Sequence, residues 1–372
     1  MTNYILILAS FLLSIVCGFA FIPLIIKFCK KKGLYDIPNG RKVHKNAIPR
    51  LGGLSFMPSM LLASLIVMVI YNIQSDGDFI QISLWSIGFF FSLLIIYGVG
   101  IVDDLVGLDA KTKFLAQIIA ATIMPLSGLY LNNLYGFCGL YDIPAIVGMP
   151  LTVFVVVFLC NAINLIDGID GLSSGLSFIA LSGFLLCFMQ DDLWLYSILI
   201  AGLLGVLVPF IYFNVFGKVE KNQKIFMGDS GSLTLGFILG FLAVKFTSIN
   251  PRVMTFQPDA MMLGYSFVVV PVYDVVRVSL VRLIHHVHIF SADKNHIHHK
   301  LMRTGLSQHQ ALITILALAL FYIGLNITLW NIINDMTFIV IADIAVWILF
   351  HWVINRTIVR HGESVYLANT EE

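Results

Sequence analysis

The sequence predicts an all-α fold, a polytopic bundle of transmembrane helices, and two observations carry that expectation. Of 372 residues 59% are apolar and only 12% charged, with mean hydropathy +0.92, whereas an ordinary soluble domain carries about twice that charge fraction. The apolar residues also gather into eleven stretches of the length a bilayer asks for, about 20 residues each. They fall near 3–28, 51–71, 82–102, 114–131, 149–163, 173–189, 194–213, 231–247, 262–281, 308–329 and 336–354.

The first stretch follows the uncharged Met1-Thr2-Asn3-Tyr4, is too long for a signal-peptide core and meets no cation before Lys27, so it is expected to stay in the membrane. The second follows Pro49-Arg50, and the third ends on Asp103-Asp104. The fourth and fifth are the short ones, so the count is about 11 (10–11), and one missed span would invert everything after it. The sixth follows a polar segment, Asn161 to Gly171, and the eighth follows Phe226 to Ser232. The ninth and eleventh each carry one acid, Asp274 and Asp343, and intramembrane acids are functional candidates by default. Asp274, three residues from Arg277 near the inner face, can support a site there; Asp343 is given no role.

Orientation follows from the cations, which cytoplasmic loops retain. With the N-terminus outside and the C-terminus cytoplasmic, 20 of the 22 Lys and Arg residues fall inside, and only Lys245 and Arg252 fall outside. Basic and acidic residues nearly cancel, 22 against 21, so the chain lacks the basic excess that a nucleic-acid partner asks for. Five scattered cysteines suggest neither a disulfide framework nor a Cys-based zinc site. Without a repeat or a linker, residues 1–372 read as one domain.

Polar chemistry gathers on the inner side. Asp103 and Asp104 are adjacent carboxylates that repel unless they share a cation or a proton, and the negative end of a helix dipole disfavours acids at a helix C-terminus. Asn161, Asn164, Asp167 and Asp170 are spaced three apart, which on a helix makes one polar stripe. Gly168 and Gly171 let the backbone approach a ligand or break the helix. The stripe also suits interhelical hydrogen bonds, a role that fits the asparagines better than the acids. Phe226-Met-Gly-Asp229-Ser-Gly-Ser232 precedes a span, so its amides are expected at a helix N-terminus, which favours phosphate oxygens, and Asp229 can hold a hard cation. A plain Ser/Asp N-cap explains this segment equally well. Six of the ten histidines lie between 285 and 299: His285, His286, His288, His296, His298 and His299. No His-Glu-X-X-His spacing is present, so phosphate contact fits them better than zinc. Arg277 and Arg282 add cations that can grip phosphate or anchor the inner face.

Taken together, Pro38-Asn39, Arg41-Lys42-Val43-His44, Pro49-Arg50-Leu51-Gly52-Gly53, Asp103-Asp104, Asn161 to Gly171, Phe226 to Asp229 and Asn295-His296-Ile297-His298-His299 resemble the polyprenyl-phosphate N-acetylhexosamine-1-phosphate transferases, most closely their bacterial N-acetylglucosamine branch. The likeness spans nearly the whole chain. It implies transfer of a sugar 1-phosphate from UDP-GlcNAc to undecaprenyl phosphate with release of UMP, in the bacterial inner membrane at a cytoplasmic-face site, with Mg2+ required and Mn2+ as a substitute. It further implies Asp229 and Asn164 as metal ligands, Asp103 as base, Asp104 as its neighbour in catalysis, and Asp167, Asp170 and His296 in the catalytic set. Asp170 and Phe226 would meet the uracil, one by hydrogen bond and one by stacking, and Arg282, His296, His298 and His299 the diphosphate or sugar. Arg41, His44 and Asn214 join the substrate-binding set, and a homodimer is expected by the same resemblance.

Two rivals remain. A phospho-MurNAc-pentapeptide or other UDP-N-acetylhexosamine donor keeps the chemistry and changes the sugar; Ser291 to Gly305 favours the GlcNAc type. A secondary transporter of an anionic solute would place its polar residues near the bilayer midplane in inverted repeats, and here they gather at helix ends.

Overall fold

The structure, a computed structural model, describes residues 2–36, 47–74, 83–250, 254, 256–288, 291 and 293–367. Its helices are α1 (Thr2–Lys32), α2 (Phe56–Gln74), α3 (Leu84–Val106), α4 (Ala110–Leu126), α5 (Ala145–Ile166), α6 (Leu172–Gln190), α7 (Trp194–Ile211), α8 (Asp229–Thr247), α9 (Ala260–Ser266), α10 (Val269–Ile284), α11 (Ile297–Arg303), α12 (Gln308–Ile333) and α13 (Met336–Arg360). Two short strands, β1 (Tyr35–Asp36) and β2 (Ile48–Pro49), pair antiparallel beside the 3-10 turn Gly52–Ser55.

All eleven expected stretches are helical, and nine helices among the described residues are long and apolar enough to cross a membrane. Two stretches differ from expectation. The fourth yields α4, only 17 residues long, started by the Asp109 side chain capping Thr112 N and ended before Gly128 in the left-handed region. The ninth is broken into α9 and α10 at Phe267–Val268. Pro271 explains the break: it has no N–H to give the Phe267 carbonyl and its ring crowds that oxygen, whereas in the first turn of α10 it is well tolerated.

α8 is the axis of the bundle. Nearly all of its residues are buried, and it packs against α3, α5, α6 and α9. Small residues make that packing close: a Cβ on Gly236 would stand 2.6 Å from the Cα of Cys160 on α5, the kind of approach that lets helices associate in lipid. The outward faces are the reverse, with Leu8, Leu12 and Val16 of α1 and Ile341, Ile348 and Leu349 of α13 exposed. Serines on α1 and α2 point inward instead; Ser10 donates to the Ile198 carbonyl at 2.9 Å. An apolar exterior around hydrogen-bonded polar groups is what a lipid solvent selects.

Candidate active site

Asp103 and Asp104 end α3, and successive side chains on a helix point about 100° apart, so the two acids face different neighbours. The Asp104 carboxylate is buried and accepts the backbone N–H of Asp229 at 2.8 Å and of Ser230 at 2.9 Å. An acid disfavoured at one helix C-terminus is thereby placed at the N-terminus of another, where the dipole favours it. The close approach needs glycine twice. A Cβ on Gly100 would lie 2.5 Å from Ser230 Cα, and one on Gly228, which sits at φ +74°, would lie 2.6 Å from the Asp104 carboxylate. The expected phosphate cradle at this helix start is corrected here: Asp104 takes the first two amides, and those of Gly231 and Ser232 donate to the Gly228 carbonyl.

Asp103 turns the other way. Its Oδ1 accepts Leu108 N–H at 2.6 Å, and its Oδ2 lies 3.2 Å from the Lys113 ammonium of α4. Lys113 also reaches Asp229 Oδ2 at 2.8 Å, so one cation joins carboxylates from α3 and α8. On the far side of Asp229, Asn164 Nδ2 donates to Oδ1 at 3.0 Å and to Ser232 Oγ at 2.9 Å. Three apolar helices thus end in one polar cluster.

The stripe expected from Asn161 to Asp170 holds on the helix only for the two asparagines, because α5 stops at Ile166. Asn161 donates to Gln117 of α4 at 2.6 Å. Asp167 caps the helix end, half-buried, and has no side-chain hydrogen bond among the described residues. Withdrawal from water and the nearby charges of Asp229, Asp170 and Asp104 push its carboxyl up to about 8. Asp170 has left the helix and pairs with Lys224 at 2.6 Å. Asn214 is buried and spends both polar atoms on backbone, accepting Gly171 N–H at 2.7 Å and donating to the Ile225 carbonyl at 2.9 Å, which ties the Asp170 turn to the strand of chain leading into Phe226. Phe226 is half-buried and pairs through its backbone with Pro49 and Gly52. Arg41 and His44 lie outside the described residues.

The six clustered histidines divide. His285 stacks on Tyr366 at 3.8 Å between ring centres. His296, His298 and His299 form one group, with centroids 5.9 Å apart for the first two and 4.0 Å for the last two. His298 reaches the α5 end: a Cβ on Gly168 would meet its ring well inside 3.0 Å, so Gly168 makes room for it. Both nitrogens of this buried ring lack a hydrogen-bond partner among the described residues. Burial lowers the His298 ring well below its ordinary pKa and brings His299 down to about 4, helped by the neighbouring histidines.

Both arginines are held internally. Arg282 Nε lies 2.8 Å from Asp293, both side chains buried; burial alone would raise that carboxyl, and the guanidinium together with the Asn295 N–H at 3.0 Å more than offsets it, holding it below the usual carboxylate range. Arg277 bridges Asp274 at 2.8 Å and the Asn295 carbonyl at 2.5 Å. From the other side the C-terminal segment straps the histidine segment down. Asn295 pairs both ways with the Leu367 backbone at 3.0 and 3.1 Å, and Arg303 donates to the Ser364 carbonyl at 2.8 Å. Lys113, Lys224, Gln117, Asp293 and this strap went unrecognised in sequence; an isolated lysine in a loop reads as an anchor, and nothing in a linear pattern pairs it with an acid on another helix.

The cluster at Asp103, Asn164, Asp229 and Ser232 offers hard oxygen donors, which suit magnesium rather than zinc or copper. Among the described residues no three His, Cys, Asp or Glu side chains converge into a full protein cage.

Fold and site define a multi-pass helical membrane protein whose acidic and amide side chains meet where apolar helices end, with a histidine ring packed against the end of one of those helices. The family model for glycosyl transferase family 4 matches residues 86–247, a span that holds Asp103, Asp104, Gln117, Asn161, Asn164, Asp167, Asp170, Asn214 and Asp229 but ends before Asp274, Asp293, Asn295 and the histidines. The chain is 30% identical over 321 residues to a probable undecaprenyl-phosphate N-acetylglucosaminyl 1-phosphate transferase of Bacillus subtilis, covering 83% of this chain and 81% of that protein. It is 30% identical to the undecaprenyl-phosphate alpha-N-acetylglucosaminyl 1-phosphate transferase of Yersinia pestis (82% and 80% covered) and 29% identical to that of Escherichia coli K12 (89% and 86%). The chain belongs to glycosyl transferase family 4.

Proposed function

We propose that the protein transfers N-acetylglucosamine 1-phosphate from UDP-GlcNAc to undecaprenyl phosphate, giving undecaprenyl-diphosphate-GlcNAc and UMP. The observation that carries this reading is the meeting of Asp103, Asn164 and Asp229 at the ends of three apolar helices, with the His298 ring against Gly168 at the end of one of them, in a chain whose relatives bear the name of that reaction. A lipid acceptor and a polyanionic donor need a site where an apolar surface meets polar groups, and these helix ends supply both.

One phosphoanhydride, to UMP, is broken and another, to the lipid phosphate, is formed, which calls chiefly for alignment and charge neutralisation. Asp229 and the amide oxygen of Asn164, with Asp103 beside them, are the residues that would hold magnesium, or manganese in its place; it would neutralise charge on the diphosphate. Asp103, steadied by Leu108 N–H, accepts the proton of the acceptor phosphate. Asp170 and Phe226 take the uracil, with Lys224 and Asn214 fixing that turn from behind. Asp167 completes the acidic wall, His296, His298 and His299 face the diphosphate and sugar, and Arg282 holds Asp293 under them. Counting α4 and the broken α9–α10 as spans gives eleven, and the excess of cations on the site's side supports a cytoplasmic face in the inner membrane.

The test is transfer of labelled sugar phosphate from UDP-GlcNAc to undecaprenyl phosphate by purified protein in detergent, with and without Mg2+, following UMP. A Mg2+-dependent lipid product is expected. Turnover with another UDP-sugar alone would replace the donor, and no turnover with any nucleotide sugar would overturn the reading.

A further inference from the structure

We propose that Asp274 is a positioning residue that fixes the tautomer and the aim of His296, an assignment that deepens the function proposed above and rests on it for its catalytic meaning. Asp274 is fully buried in α10 and its carboxylate is surrounded by three donors. Oδ1 accepts Arg277 at 2.8 Å and the Ile297 backbone N–H at 2.9 Å, and Oδ2 lies 2.8 Å from His296 Nδ1. A carboxylate gripped by a guanidinium and an amide is an acceptor, so the remaining contact requires the proton on Nδ1 of the imidazole. A neutral histidine carries one ring proton, and the bond at one nitrogen decides what the other offers. Nε2 is therefore the nitrogen left for the site: a lone pair when the ring is neutral, a donor when it is protonated.

The same carboxylate sets the ring's direction. Ile297 N–H opens α11, so Asp274 ties the start of that helix and the His296 ring to one point on α10, while Arg277 extends the tie to the Asn295 carbonyl. No other protein group bonds His296 Nε2 among the described residues, and the ring lies parallel to that of His298, which abuts Gly168 at the end of α5. Asp274 touches nothing that reacts; it acts through His296.

Asp274→Asn separates this role from mere packing. The amide keeps the shape and can accept from Arg277 and Ile297 through its oxygen, but it then presents N–H to Nδ1, which moves the ring proton to Nε2. Groups that orient metal-ligating histidines from behind typically carry about 10–100-fold in activity; taking the same magnitude for His296, kcat should fall by about that factor with the donor KM changed less than about threefold. In a His296→Gln background the same substitution should cost less than about threefold further, since coupled residues are not additive. Nitrogen NMR of histidine-labelled protein reads the tautomer directly, the His296 signals being those lost in His296→Gln. In the unmutated protein the proton should reside on Nδ1 and in Asp274→Asn on Nε2. Additive kinetic losses, or a wild-type ring protonated only on Nε2, would overturn the assignment, and the wild-type spectrum decides even if the variant does not fold. Because that spectrum needs no turnover, failure of the tautomer and failure of the proposed reaction are told apart.

Discussion

The Asp104 carboxylate accepts the backbone N–H of Asp229 at 2.8 Å, so one member of the acidic pair holds the helix whose first side chain faces the other member. The resemblance casts Asp104 as the neighbour of Asp103 in catalysis, and the two carboxylates face different partners: the first two amides of α8 for Asp104, Leu108 N–H and Lys113 for Asp103. Asp104→Asn keeps one acceptor and turns an N–H toward a buried amide, which costs about 1–3 kcal/mol. It should lower the unfolding temperature in detergent. Asp103→Asn should unfold near the wild-type temperature yet lose roughly 10²–10⁴ in rate, the usual contribution of a general base. Equal unfolding temperatures for Asp104→Asn and wild type would mean that this cap does not hold α8.

Lys113 bridges Asp103 at 3.2 Å and Asp229 at 2.8 Å and so competes with any cation for the same two carboxylates. Lys113→Met should leave them more negative and tighten Mg2+ binding, by about tenfold for each 1.4 kcal/mol of competition removed. The readout is the Mg2+ concentration at the midpoint of the thermal shift. An unchanged midpoint would separate Lys113 and the metal in space.

The spans were legible in sequence because lipid leaves an unmistakable compositional mark, and only α4 and the Pro271 break altered the count. The site was legible as a set of types and less so as a set of contacts. Asn164 and Asp229, 65 positions apart, pair as two members of the same site, but the Asn161–Asp170 stripe assumed a helix that ends at Ile166. Asn214 and Arg282 looked like ligand donors, and each has a protein group within hydrogen-bonding distance. Such pairings depend on which helix neighbours which, and hydropathy carries no record of that.

Gly168 is required by His298 rather than by its own backbone. Added at Gly168, a Cβ would meet the His298 ring well inside 3.0 Å, so Gly168→Ala should push the ring aside and cut kcat by about tenfold or more while the protein stays folded. In a His298→Ala background the space is empty and the substitution should cost little further, the signature of two coupled residues. Kinetics of the four variants decide it; equal losses in both backgrounds would place the effect in the α5–α6 turn itself.

Acid should loosen the histidine segment, and the sign follows from burial. The His299 ring is brought down to about 4 and His298 lies well below its ordinary value, while an opened segment would titrate near about 6.5. Between those values the open form binds more protons, so stability of the closed form rises with pH across that window, is fully present above about 6.5 and is lost as pH falls toward about 4. Asp293, held low by Arg282, adds a contribution that is also lost on acidification, at still lower pH. Amide exchange of α11, corrected for its intrinsic rate, should therefore show less protection at about pH 5 than at about pH 7.5. His298→Gln with His299→Gln should flatten that difference. Protection that stays constant across the window in the unmutated protein would mean that these rings are not desolvated, and the contact with Gly168 would then have to be open to water.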